Sequence, residues 1–128
     1  MTVGEVVGGD VTVSITLKGP TRSLLVKAAI DTGFKRYLTL PPTLMQEFGH
    51  GFVERVEMVL ADGSPVICNG MVIHLTFGDR PISVLAVELG TEPLIGMAFL
   101  EGYRLTIDVT EGGKVSITPL RSSTKTEE

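Results

Sequence analysis

Polar and apolar residues alternate strictly over positions 11–17, "VTVSITL", with Val11, Val13, Ile15 and Leu17 on one face and Thr12, Ser14 and Thr16 on the other. A period of two predicts a half-buried strand. After a turn in "KGPTRS", the segment "LLVKAAI" is apolar almost throughout and predicts a second, more central strand. "YLTLP" predicts a short third strand that stops at Pro41, which cannot donate to a ladder. "PPTLMQEFG" has the pattern of a short helix, with Pro42 in the first turn, Leu44 and Phe48 on one face and Gly49 after it.

Further on, "ERVEMVL" and "PVICNGMVIHLTF" flank the tetrapeptide "ADGS", a hairpin signal. "GDRP" then turns the chain into the strand "ISVLAVEL". "EPLIGMAFLEGY" reads as an apolar strand that passes through Gly96 into one or two helical turns, and "RLTIDV" and "KVSITPL" read as strands. The expected class is all-β, a small closed barrel or sandwich with one or two short helices. Residues 10–120 form the expected domain. Residues 1–9 are an N-terminal segment available as a dimer-interface strand, and 121–128, "RSSTKTEE", form a flexible tail.

Composition narrows the function classes. Hydrophobic residues at 43% and charged residues at 20% describe a globular rather than a disordered chain, and 128 residues suit one domain. A net charge of −4 leaves no basic stripe for nucleic acid. The single cysteine, Cys68, excludes an internal disulfide and fits a reducing compartment. "MTVGEVVGGD" lacks the basic and apolar regions of a signal peptide, and no apolar run is long enough to span a bilayer. The expectation is a cytoplasmic protein without membrane contact.

The chemistry-bearing stretch is "AAIDTGFKRYLTLP". Asp31 stands where a buried strand would continue with an aliphatic residue. Two readings compete. In one, the Asp31 carboxylate caps a turn by accepting nearby backbone N–H groups, with Gly33 supplying conformational freedom. In the other, the carboxylate is held at the end of an apolar strand for acid–base work, Thr32 offering a hydroxyl and Gly33 an unobstructed N–H.

"AIDTGF…LTLPP", followed by the Asp-Gly hairpin and by "LIGMAFLEGYRLTIDV", resembles the retropepsin-like aspartic peptidases, specifically their small bacterial single-domain branch. The likeness runs over roughly residues 10–118. It implies a retropepsin-type barrel, a flap hairpin with Ala61, Asp62, Gly63 and Ser64 at its tip, and Leu94-Ile95-Gly96 as a supporting element behind the Asp31 loop. It implies a peptide endohydrolase, acting on an extended polypeptide and needing neither metal nor cofactor. Such hydrolysis takes two carboxylates sharing one proton. The chain's aspartates are 10, 31, 62, 79 and 108, and only Asp31 lies in D-T-G. The second carboxylate is therefore expected from Asp31 of another copy, in a symmetric homodimer. The resemblance makes Thr32 a clasp across the dimer axis and Gly33 a point of close substrate approach.

Three departures from the retroviral pattern stand near this motif: Phe34 in place of a small residue, Lys35 and Arg36 in place of acids, and Met97 in place of an arginine. Phe34 would crowd or extend a substrate pocket. Lys35 and Arg36 either bias the cleft towards acidic or polar side chains or form a solvated pair. The "ADGS" tip is either a flap or an ordinary exposed hairpin. His50 and His74 lack metal-ligand spacing, and His74 and Cys68 read as structural. "KVSITPL" is an edge-capable strand, so the termini are expected to form the dimer sheet. A non-catalytic dimerisation or peptide-binding module on the same fold is the alternative.

Overall fold

The computed structural model describes residues 2–120, so the expected tail at 121–128 lies outside the described residues. The described chain runs β1 (Thr2–Val7), β2 (Asp10–Lys18), β3 (Ser23–Ile30), β4 (Leu38–Leu40), α1 (Pro42–Phe48), β5 (Gly49–Val59), β6 (Pro65–Phe77), β7 (Arg80–Glu88), β8 (Leu94–Ile95), α2 (Met97–Leu100), β9 (Tyr103–Ile107) and β10 (Lys114–Pro119). The fold is mostly β with two short helices.

The strands form one mixed sheet in the order β5-β6-β7-β4-β8-β3-β2-β1-β10-β9, and a further pairing joins β6 to β2. That extra ladder closes the run from β2 to β6 into a ring. β2 makes this possible by dividing one of its edges: Asp10–Thr12 pairs with β1, whereas Thr16–Lys18 pairs with β6. The ring encloses the alternating apolar face of β2, where Val13, Ile15 and Leu17 are buried together with Ile73 and Leu75 of β6 and Leu38 and Leu40 of β4. A smaller apolar cluster of Val56, Cys68 and Val87 lies under the β5–β6 hairpin.

The structure departs from the sequence expectations at both ends of the chain. Gly8 and Gly9 both have positive φ, 58° and 86°, and form a two-residue turn that folds β1 back on β2. Residues 2–7 thus pair on both sides with strands of the same chain. β1 also pairs with β10, whose other edge is taken by β9. Both edges of β10 are occupied within one chain, so "KVSITPL" does not offer the free edge expected of it. The outer strands are β5 and β9. β3 is also less central than its composition suggests, because only Ala29 and Ile30 gain a second partner in β8, and Leu25 remains 67% exposed. In α1 the buried residues are Met45 and Phe48, with Leu44 only partly covered. No helix among the described residues is long and apolar enough to cross a membrane.

Candidate active site

Asp31 follows the last residue of β3, at the point where that strand leaves its parallel ladder with β8. The loop after it is built by short-range bonds. The Gly33 N–H donates to Asp31 Oδ1 at 2.9 Å, and the Phe34 N–H donates to the Asp31 carbonyl at 3.1 Å. A Cβ at Gly33 would come within 3.3 Å of that same carboxylate oxygen, so glycine leaves the N–H clear. Oδ2 accepts no hydrogen bond among the described residues. The turn cap and the available carboxylate therefore coexist in one side chain: one oxygen serves the loop and the other is open.

The Leu94-Ile95-Gly96 segment lies behind this loop and holds its backbone. The Asp31 N–H donates to the Ile95 carbonyl at 2.9 Å, and the Gly96 N–H donates to the Tyr37 carbonyl at 3.0 Å. The first residues of α2 continue the pattern, with the Met97 N–H on the Phe34 carbonyl at 2.8 Å and the Ala98 N–H on the Arg36 carbonyl at 3.3 Å. Gly96 has no room for a side chain: an added Cβ would lie 2.2 Å from the Arg36 carbonyl oxygen and 2.6 Å from the Phe34 ring. Ile95 is fully buried, and the Leu94 N–H donates to Oγ1 of Thr39 at 3.1 Å. Thr39 is the buried polar residue of this region, 1% exposed.

A cavity of about 330 Å³ opens over Asp31. Gly33, Phe34, Thr39 and Leu94 line its floor, and Met58, Val59, Leu60 and Ala61 of the hairpin arm line its roof. Among the described residues, Asp31 is the one ionisable side chain on this wall. Of the four tip residues singled out in the sequence, Ala61 reaches the cavity, whereas Asp62, Gly63 and Ser64 do not line it. Asp62 is occupied at the tip, its Oδ1 accepting both the Ser64 hydroxyl and the Ser64 N–H. Those two donors hold its carboxyl below the ordinary aspartate range, the hydroxyl contributing more. Thr32 is exposed and makes no side-chain hydrogen bond among the described residues.

A second cavity, about 340 Å³, adjoins the first around Phe34 and carries Lys35, Arg36 and Glu57 on its wall. The roof residues Met58, Val59 and Leu60 and the floor residue Thr39 were not singled out by sequence reasoning. Counting back along the hairpin from the Asp62-Gly63 turn is the signal that finds the roof.

His50 and His74, remote in sequence, are brought together by the β5–β6 ladder, their ring centroids 4.3 Å apart. His74 Nδ1 lies 2.6 Å from Ser83 Oγ, and His50 Nε2 is buried without a partner. No third His, Cys, Asp or Glu joins them in a metal-binding group among the described residues. No family model and no curated protein sequence matches this chain.

Proposed function

We propose that the protein is an aspartic endopeptidase of the retropepsin type, working as a homodimer with one Asp31 from each copy. The observation that carries this reading is the setting of Asp31: an exposed carboxylate on a loop hydrogen-bonded from behind, facing a cavity with no other ionisable group on its wall among the described residues. One carboxylate alone cannot both take a proton from water and give one to the substrate carbonyl. A second copy placed about a two-fold axis supplies the missing group.

In such a dimer the two carboxylates share one proton. The ionised member takes a proton from a water between them, the water oxygen bonds to the scissile carbonyl carbon, and the protonated member gives its proton to the carbonyl oxygen. The tetrahedral adduct then collapses as the amide nitrogen is protonated and the C–N bond breaks. Every proton comes from the water or the dyad. Gly33 keeps its N–H on Asp31 Oδ1 and so fixes the carboxylate plane. Thr32, whose side chain has no hydrogen-bond partner among the described residues, is available to clasp the partner's loop. The β5–β6 arm covers the extended substrate and excludes water. The closed ring of strands and the Leu94–Gly96 backing agree with the retropepsin-type barrel that the sequence resembles.

Because the Asp31–Gly33 bond also completes an ordinary turn cap, the second reading is a dimerisation or peptide-binding module on this fold. Asp31→Asn separates the two. Peptide cleavage by the wild type between about pH 3 and 7, lost in Asp31→Asn with the dimer mass retained, supports the peptidase. Peptide binding without cleavage by the wild type at any pH in that range supports the module.

A further inference from the structure

Lys35 and Arg36 stand side by side on the loop between Asp31 and β4, both exposed and both on the wall of the 340 Å³ cavity. Their backbone is fixed. The carbonyls of Phe34, Arg36 and Tyr37 all accept N–H groups from Gly96–Ala98. Neither cation has a carboxylate within ion-pairing distance among the described residues, where the ion pair found is Arg22–Glu47. Glu57, on the opposite lip, offsets one of the two charges and leaves the cavity net positive. This happens in a chain whose overall charge is −4. Phe34 and Met58 add apolar surface between the charged groups.

We propose that this cavity is an acid-selecting subsite, receiving the Asp or Glu side chain of an extended peptide that lies in the Asp31 cleft. Arg36 offers a planar fork matched to a carboxylate, and Lys35 adds a point charge. Phe34 and Met58 cover the methylenes of the incoming side chain. Glu57 rejects a neutral amide less than it rejects a second carboxylate, and so moderates the preference rather than creating it. In a symmetric dimer each copy contributes one such cavity, so acidic residues are selected on both sides of the scissile bond. Placement of the subsite beside a scissile bond rests on the peptidase reading; binding of the acidic peptide does not.

The test uses peptides identical except for Glu, Gln or Lys at one position at a time. Cleavage by the wild type and equilibrium binding to Asp31→Asn are both measured. The expected result is a preference for Glu over Gln of about fivefold, the size of one partly exposed ion pair. Lys is disfavoured further, and raising salt from about 0.05 to 0.5 M compresses the difference. Lys35→Glu with Arg36→Glu inverts the order, and Glu57→Gln enlarges the preference for acid. Selective binding of acidic peptides without any cleavage keeps the subsite and removes the peptidase. Cleavage or binding that ignores the Glu, Gln and Lys series, or a preference unchanged by the double reversal, overturns the subsite. So does a complete lack of peptide binding.

Discussion

Two turns in this molecule share one local design. In Asp31-Thr32-Gly33 and in Asp62-Gly63-Ser64, an aspartate Oδ1 accepts the N–H two residues on, at 2.9 Å in both. Their surroundings differ. The Asp62 turn sits at a hairpin tip, closed on itself by the Leu60–Ser64 and Gly63–Leu60 backbone bonds, and Ser64 supplies a second donor to its carboxylate. The Asp31 turn is backed by β8 and α2, and its Oδ2 has no donor among the described residues. On the peptidase reading, what sets a chemical carboxylate apart from a capping one is what lies behind it and what its second oxygen meets.

The comparison is broken most severely by exchanging the carboxylates for amides. Asp31→Asn is expected to lower peptide hydrolysis by about 10²- to 10⁴-fold, the usual weight of an acid–base group, in a steady-state assay. Asp62→Asn should have an effect small beside it, and equal losses in the two variants would erase the distinction. Next in size is the backing. Gly96→Ala forces a Cβ against the Arg36 carbonyl and the Phe34 ring, and is expected to cost about 3 kcal/mol in urea unfolding. Gly63→Ala meets nothing within 4 Å and pays only for its φ of +88°, about 1 kcal/mol. A larger loss at Gly63 than at Gly96 would contradict the contrast between a tethered and a free turn. Thr39→Val removes the acceptor of the Leu94 N–H and leaves a part-buried donor without it, with an expected cost of about 1 kcal/mol by the same measurement.

The smallest effect is protonic. The Asp62 carboxyl is held below its ordinary value of 3.8, chiefly by the Ser64 hydroxyl and then by the Ser64 N–H. The unfolded chain therefore binds the proton first as pH falls, and the stabilisation from this contact is fully present above 3.8. It is lost as pH drops through the lower folded-state value. The Ser64 amide chemical shift should move in that acid limb, and an amide shift that stays flat there would mean the cap is not formed.

Much of the fold was legible because its strands alternate cleanly. Val13, Ile15 and Leu17 are buried as their period requires, and the Asp62-Gly63 turn sits where the flanking β patterns converge. The hairpin register from that turn pairs Val59 with Pro65 and Glu54 with Gly70, which carries His50 towards His74. A bulge between His50 and Glu54 then shifts His50 opposite Val72, and no local pattern announces it. Composition misled at "LLVKAAI", since an apolar strand becomes central only if later strands arrive on both sides. The Gly8-Gly9 turn was readable as a hairpin, but its consequence, that β1 would take the edge of β10, depends on a partner far along the chain. At the site, Asp31, Gly33 and Gly96 were visible as motif residues. Thr39 and the roof of the cavity were not, because their roles arise from how separate strands stack.

The pairing of Thr2–Glu5 with Lys114–Ile117 sets a timetable for synthesis. A ribosome making this chain releases β1 more than a hundred residues before its β10 partner, so the second side of β1 stays uncovered while the strands between them are translated. A message cut short before Lys114 would yield a polypeptide with a standing vacancy along one ladder, the kind of surface that chaperones and proteases recognise.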